Sequence, residues 1–297
     1  MRGIITVLNT PFTVEDAIDV PGLRRNIENA IDAGIAGFLV PALASEVEAL
    51  SIDERALLIS TTIETCAGRV PVIGGTAAPT QSARIELAHE AINLGCTGIL
   101  VNMPLADEPS FEKDLAELAE LGASFVMLQD WDPAGEGLSI PFITRLFDRI
   151  PAFSWLKIEV IPAGPKYSAV LDATGGELNV AGGWAVIQMI EALDRGVHAF
   201  MPTGMHRIYA EIYRRYAAND RDGAHVLFDR VLPVLAFSNQ RLDISIAFFK
   251  HLLHAQNIYE TSRCRPPVRD LDAAQMRIAD ELIARIREID AQLVSGD

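Results

Sequence analysis

The chain has 297 residues, 49% of them hydrophobic, which suits one α/β barrel with a helical tail and excludes a disordered protein. Its formal net charge of −15 argues against nucleic acid or an anionic membrane as a partner, because an acidic surface repels phosphate groups. Three widely spaced cysteines, no secretory leader pattern and no run long enough to span a membrane lead us to expect a cytoplasmic protein without disulfides.

Eight short apolar runs alternate with amphipathic segments along the first two thirds of the chain. They lack the polar alternation of half-exposed strands, so they predict buried parallel strands. The amphipathic segments between them have the length of barrel helices, and several end at a glycine, the usual left-handed cap. The predicted strands are residues 3–10, 37–42, 70–75, 98–103, 124–129, 154–160, 178–181 and 199–203.

This alternation predicts an α/β fold, a (β/α)₈ TIM barrel formed by residues 1–205. Asp53, Thr80 and Ser110 are predicted to cap helices. An open, doubly wound sheet is the alternative, but no glycine-rich GxGxxG turn follows the first strand. Residues 206–297 have a helical pattern broken by two adjacent prolines, and they predict a C-terminal region of about three helices packed on the barrel.

Lysine is rare, with four in the chain, and one of the four occupies an unusual place. Lys113, Lys166 and Lys250 lie in predicted helices or helix starts, where a solvated amine is unremarkable. Lys157 lies in the sixth predicted strand with apolar residues on both sides. Burying an ammonium ion there costs several kcal/mol unless it is paired or neutralised. A neutral amine is what a Schiff-base nucleophile must be, so Lys157 is a candidate catalytic residue.

Glu159 lies two residues after Lys157 and therefore shares its strand face. If that face lines the barrel interior, the two charges are neighbours. Two interpretations stay open at this point. The pair is either a structural ion pair, or a nucleophile with a group that moves protons once an imine forms.

Five segments carry motifs of a known family: TPF at 10–12, RVPVIGGT at 69–76, ARIELAHEAINLGCTGILVNMP at 83–104, WLKIEV at 155–160 and RPPVRDL at 265–271. With them the chain resembles the dihydrodipicolinate synthase and N-acetylneuraminate lyase family of class I aldolase-type barrels over nearly its whole length. The resemblance implies a TIM barrel in which Lys157 forms an imine with a small keto acid. It implies no cofactor, and it implies a homodimer or homotetramer.

The chain departs from the family at the groups that bind the carboxylate and relay protons. The run ALASE at 42–46 stands where the family has GTTGE, so Ala44 and Ser45 become the candidates for substrate binding there. Gln129 occupies the place of the family's strand-five tyrosine, although a glutamine is not a general acid or base at neutral pH. Gln129 and Glu159 are the candidates for catalytic roles beside Lys157.

Further candidates lie at the ends of the later strands. Lys166, with nearby backbone amides, binds an anionic group or is an ordinary solvated lysine. Gly182 and Gly183 permit close approach to a ligand or form a tight turn. Thr203 precedes a helix whose amides could face a carboxylate or phosphate.

Two other features favour a surface location rather than chemistry. His206, at a helix start, is expected to be a surface residue. The acidic loop of Asp130, Asp132 and Glu136 could bind a divalent cation, but a solvated loop is favoured and no metal is predicted.

The sequence thus predicts a Schiff-base lyase of aldolase, synthase or dehydratase type that acts on a 2-keto acid or a sugar acid. One alternative is a barrel that binds a small ligand without turnover, having lost the family's proton relay. Metal-assisted aldol chemistry is another, for which the sequence offers no good ligand set.

Overall fold

Eight parallel strands close into one barrel in the computed structural model, in chain order from β1 to β8. The structure describes residues 1–295, apart from the side chains at positions 184 and 185. The strands are β1 Gly3–Val7, β2 Gly37–Val40, β3 Val72–Gly75, β4 Gly98–Val101, β5 Phe125–Asp132, β6 Phe153–Val160, β7 Asn179–Gly182 and β8 Ala199–Phe200. The predicted TIM barrel is confirmed, and all eight predicted strands overlap observed ones.

Helices alternate with the strands and then continue alone after β8. Four helices, rather than about three, follow the last strand within the described residues. The barrel helices are α1 Val20–Asp32, α2 Ile52–Cys66, α3 Gln81–Asn93, α4 Glu108–Ala119, α5 Ile140–Arg149, α6 Ala163–Ala173 and α7 Met189–Asp194. The helices after β8 are α8 His206–Ala217, α9 Arg221–Ser238, α10 Leu242–Ala255 and α11 Ala273–Ser295. The predicted C-terminal region extends two residues beyond the described part of the chain.

Two of the three predicted helix caps are wrong. Ser51, not Asp53, accepts the backbone hydrogen bond at the start of α2, and Asp107, not Ser110, does so at α4. Both mispredicted residues lie inside the first helical turn. Each of these starts has two capping residue types close together, so composition alone does not choose between them. The cap of α3 is Thr80, as predicted.

Alternate strand residues face two separate apolar layers. Met127 and Trp155 belong to a small cluster inside the barrel, whereas Leu128 and Leu156 belong to the larger cluster between the barrel and its helices. Because both faces are covered, the strands appear in the sequence as continuous apolar runs. Lys157 follows Trp155 by two residues, so it points into the barrel.

The C-terminal segments are tied to the rim of the barrel through one arginine. The Arg265 guanidinium donates to both carboxylate oxygens of Glu54, at 2.7 and 2.9 Å, and lies 4.1 Å from the ring centre of Phe12. Its backbone N–H donates to Glu46 at 2.7 Å. The tail thereby fixes the loop after β2. Among the described residues, no helix combines the length and apolarity needed to cross a bilayer.

Candidate active site

A buried lysine and a buried glutamate meet at the carboxyl end of β6, inside the barrel. Lys157 is 5% exposed and Glu159 is 9% exposed. The Lys157 Nζ lies 3.1 Å from the Glu159 Oε2. Each charge offsets part of the desolvation cost of the other, so the pair can be buried where a single ion could not.

The Glu159 carboxylate is held from its other side by a chain of amides. Gln129, which pairs with Lys157 across β5 and β6, donates through Nε2 to the same Oε2. Asn102 in turn donates through Nδ2 to the Gln129 Oε1 at 3.3 Å. Gln129 therefore positions the carboxylate that faces the lysine.

The absence of a side chain at Gly183 makes room for the Glu159 carboxylate. A Cβ at position 183 would lie 2.1 Å from the Glu159 Oε1, well inside van der Waals contact. The backbone φ of Gly183 is −77°, so the position requires a small residue for its space and not for its conformation. Gly182 has a different task, because its carbonyl accepts the Met201 N–H at 3.0 Å and continues the barrel's hydrogen bonding.

A cavity of about 60 Å³ opens beside the lysine and is closed on one side by the helical tail. Ala44 and Thr203 line it, and both are fixed by one asparagine. Asn9 donates to the Ala44 carbonyl at 2.8 Å and accepts from the Thr203 hydroxyl at 2.7 Å. From α10, Leu242 and Phe249 complete the wall.

Two polar groups that sequence reasoning missed line the same cavity. The Tyr209 hydroxyl and the Asn239 Nδ2 are buried and have no hydrogen-bond partner within the described residues. Burial raises the pKa of the Tyr209 phenol, so it stays protonated and able to donate. Tyr209 lies in α8 and Asn239 directly follows α9, and no motif singles them out in the sequence.

Ser45 does not present its hydroxyl to this cavity. The hydroxyl donates to the Leu8 carbonyl at 2.6 Å and accepts from the Ala42 N–H at 2.9 Å. Its carbonyl accepts from the Thr10 hydroxyl. These bonds fix the loop between β2 and α2.

Lys250 is not the solvated helix lysine that the sequence predicts. It is fully buried, its Nζ lies 2.6 Å from the Glu46 Oε2, and it stands 4.3 Å from the ring centre of Phe12. Glu46 itself adopts a left-handed backbone conformation, with φ 58°. Sequence distance hid this pair, because its members are 204 residues apart.

Lys166 is likewise buried, and the structure does not bring it to the cavity of Lys157. Its Nζ lies 3.1 Å from the Asp130 Oδ2 and donates to the carbonyls of Glu136 and Leu138. Asp130 faces outward from β5, one residue after the inward-facing Gln129. The expectation of a solvated lysine is wrong, and the amine holds the loop between β5 and α5.

The expected surface histidine is also buried. His206 is 3% exposed, with Nδ1 3.3 Å from the Thr6 hydroxyl and Nε2 2.9 Å from the Asn26 Oδ1. Burial lowers the pKa of His206 to about 4, so the ring is neutral at physiological pH.

In the predicted acidic loop, Asp132 is the last residue of β5 and accepts from the backbone N–H groups of Ala134 and Gly137. Among the described residues no group of three or more His, Cys, Asp or Glu side chains could hold a metal ion.

Comparison with solved structures shows the same architecture. The 4-hydroxy-tetrahydrodipicolinate synthase of Methylacidiphilum fumariolicum SolV superposes with a TM-score of 0.88 at 20% identity, covering 99% of each chain. Dihydrodipicolinate synthase of Rhodopseudomonas palustris gives a TM-score of 0.87 at 22% identity, covering 96% of this chain and 97% of that one. At these identities the likeness establishes the fold.

Sequence comparison adds relatives that align over nearly the full length. L-2-keto-3-deoxyarabonate dehydratase of Azospirillum brasilense is 28% identical over 304 aligned residues, covering 97% of this chain and 94% of that protein. The 4-hydroxy-tetrahydrodipicolinate synthase of Methanosphaerula palustris is 24% identical over 296, covering 95% and 98%. A model of the dihydrodipicolinate synthetase family matches residues 1–285. The chain therefore belongs to the dihydrodipicolinate synthetase family, as its sequence motifs predict.

Proposed function

We propose that this protein is a lyase that forms a Schiff base between Lys157 and a 2-keto acid, including keto acids derived from sugar acids. The observation that carries the proposal is the Lys157–Glu159 pair, 3.1 Å apart inside the barrel and lining a cavity. Active sites of TIM barrels lie at the carboxyl ends of the strands, which is where both residues stand.

Imine formation needs the lysine as a free amine and needs a proton to be moved at each of its steps. Glu159 is positioned to take a proton from the Lys157 ammonium, which frees the amine to attack the ketone carbon. Attack places a positive charge on the nitrogen, and one of its protons moves to the former ketone oxygen to give a carbinolamine. The carbinolamine loses its hydroxyl as water when the same carboxyl returns a proton.

In a C–C cleavage the protonated imine accepts the electron pair of the bond that breaks. In a dehydration it accepts the pair of the neighbouring C–H bond as that proton is removed, and the enamine so formed expels the hydroxyl group of the next carbon, which leaves as water with a proton.

The two unpartnered donors are suited to the carboxylate of the keto acid. Tyr209 O–H and Asn239 N–H groups line the cavity and have no hydrogen-bond partner within the described chain. A carboxylate accepting from both would satisfy groups that otherwise cost about 1–3 kcal/mol each to bury. They would replace the hydroxyls that the ALASE run lacks.

The remaining candidate residues have supporting roles in this proposal. Ala44, Thr203 and Gly183 shape the wall around the imine. Ser45 and Lys166 fix loops through the contacts described above, without touching substrate. The chain's full-length similarity to a sugar-acid dehydratase supports loss of water as the overall reaction.

Borohydride trapping tests the proposal directly. The protein is incubated with pyruvate and sodium borohydride, digested, and mapped by mass spectrometry. We expect a pyruvate adduct on Lys157, and none in a Lys157→Arg variant whose circular dichroism is unchanged. Absence of an adduct on Lys157 across a panel of 2-keto acids, in folded protein, would overturn the proposal.

A further inference from the structure

A second and larger cavity lies next to that of Lys157, at the carboxyl ends of β2 to β5. Its volume is about 470 Å³, and it shares Ala42, Leu43 and Trp131 with the first cavity. Gln129 also lines it, and the same side chain donates to Glu159. A group bound here is therefore separated from the catalytic pair by one amide.

Arg84 and Arg55 line this second cavity, and neither has an anionic partner among the described residues. Arg84 is 4% exposed, and its Nη1 donates to the Gln81 Oε1 at 3.1 Å. Arg55 donates to the carbonyls of Ala77 and Val47 at 3.1 and 2.7 Å. The Nε atoms of both arginines are buried and unpartnered within the described residues.

Uncompensated arginines are unexpected in this chain. It carries 40 acidic residues against 25 basic ones. Yet neither Arg55 nor Arg84 forms an ion pair in the part of the chain that the structure describes, although Glu48 lines the same cavity with an exposed side chain. Burial lowers the pKa of Arg55, which is the direction expected for a cation without a nearby carboxylate.

The chemistry of these groups defines what they would bind. A buried charge left without an opposite charge is destabilising, and an anion that enters the cavity would offset that cost. The planar guanidinium fork matches carboxylate and phosphate oxygens. Two arginines lining one cavity favour a group with several negatively charged oxygens.

The geometry points to an anion site at Arg55 and Arg84 for a carboxylate or phosphate group of a small molecule. The anion has two possible sources: the far end of the keto acid that reacts with Lys157, or a separate free anion. The first source rests on the function proposed above, and the second does not.

Paired substrates separate the two sources. Borohydride trapping on Lys157 is measured against concentration for 2-oxoglutarate, which has a distal carboxylate, and for 2-oxopentanoate, which lacks it. If the substrate supplies the anion, the wild type should reach half-maximal trapping at a lower concentration of 2-oxoglutarate than of 2-oxopentanoate. Arg84→Gln should raise the half-maximal concentration of 2-oxoglutarate about 10-fold or more. The half-maximal concentration of 2-oxopentanoate should stay within about twofold.

Inorganic phosphate tests the site without any imine. We expect phosphate to raise the melting temperature of the wild type more than sodium chloride of equal ionic strength does. Arg84→Gln and Arg55→Gln should each abolish this gain. The control, Arg149→Gln, removes a positive charge from a side chain that is 64% exposed. This variant should still gain melting temperature with phosphate as the wild type does.

Each outcome bears on the site. If the wild type needs less 2-oxoglutarate than 2-oxopentanoate for half-maximal trapping and Arg84→Gln loses this difference, the site binds the substrate. If phosphate raises the melting temperature but the two keto acids trap alike, the site binds a free anion. If neither effect is seen in the wild type, or if both survive in Arg84→Gln and Arg55→Gln, the anion site is wrong. Failure of trapping with every keto acid counts against the imine alone, because the phosphate measurement does not need it.

Discussion

Two buried Lys–Glu pairs in this molecule look alike in composition and differ in access. The side chains of Lys157 and Glu159 are each 7% exposed and line a cavity inside the barrel. Those of Lys250 and Glu46 are 0% and 1% exposed, and the Lys250 amine is packed against the ring of Phe12. Burial alone therefore does not make a lysine a nucleophile, because a carbonyl must also be able to reach its nitrogen.

The largest expected effect comes from Glu159, the carboxylate that faces the proposed nucleophile Lys157. Glu159→Gln keeps the shape of the side chain but removes the proton acceptor, so the rate of pyruvate trapping on Lys157 should fall about 100- to 10,000-fold. The measurement is quench-flow trapping with mass spectrometry. Glu64→Gln, at a side chain 63% exposed, is the matched control. An unchanged trapping rate in Glu159→Gln would show that the pair is only structural.

Removing each lysine in turn should show that the Lys250–Glu46 pair matters more for stability than the Lys157–Glu159 pair. Lys250→Met leaves Glu46 sealed without its cation and should lower the free energy of unfolding by about 3–5 kcal/mol. Lys157→Met should lower it by less than about 2 kcal/mol, because its cavity lets water reach Glu159.

Urea denaturation of both variants measures the difference. The double variant Lys250→Met, Glu46→Gln should recover part of the loss, because the buried charge is gone. Equal losses for the two single variants would contradict the distinction between a sealed pair and an accessible one.

A smaller effect should follow when the carboxylate is moved rather than removed. Because a Cβ at Gly183 would lie 2.1 Å from the Glu159 Oε1, Gly183→Ala should displace Glu159 and slow trapping about 10- to 100-fold. In a double variant with Glu159→Gln, Gly183→Ala should lower the trapping rate little further. Full additivity in the double variant would show that Gly183 acts through something other than Glu159.

The smallest effect concerns a buried carboxylate without an ion pair among the described residues. Asp290 on α11 has one oxygen without a partner among the described residues, and burial raises its pKa to about 6. The folded chain thus holds this proton more tightly than the unfolded chain, whose value is near 3.8. Stability is therefore lost as the pH rises from about 4 to about 6, and it stays lost above that range.

Asp290→Asn should accordingly stabilise the protein by about 1–3 kcal/mol at pH 7.5 and by almost nothing at pH 4. Thermal melting at both pH values measures this. Asp280→Asn, on the same helix and 64% exposed, is the control. A gain in Asp290→Asn that is the same at both pH values would contradict the assignment.

The sequence predicts the barrel and the pair on β6 because both depend on local periodicity. Buried parallel strands produce continuous apolar runs, so a lysine within one stands out. Residues two apart on a strand share a face, which is why Glu159 is expected beside Lys157. Gln129 is singled out differently, by the resemblance to the family, because it stands at the place of the strand-five tyrosine.

What the sequence does not predict depends on contacts between distant segments. Glu46 and Lys250 are separated by 204 residues, and the burial of His206 depends on Asn26, 180 residues away. Tyr209 and Asn239 reach the cavity through the packing of helices that carry no recognisable motif. Only the closed three-dimensional packing reveals which of these polar groups lack partners.

The helical tail forms part of the wall of the cavity beside Lys157. Asn239, Leu242, Ser245 and Phe249 all come from the segment after the last barrel strand. The face of the cavity that meets an incoming molecule and the strand that carries Lys157 therefore belong to separate parts of the chain. Substitutions in α10 are expected to change which molecules fit beside Lys157 while the barrel strands keep their packing.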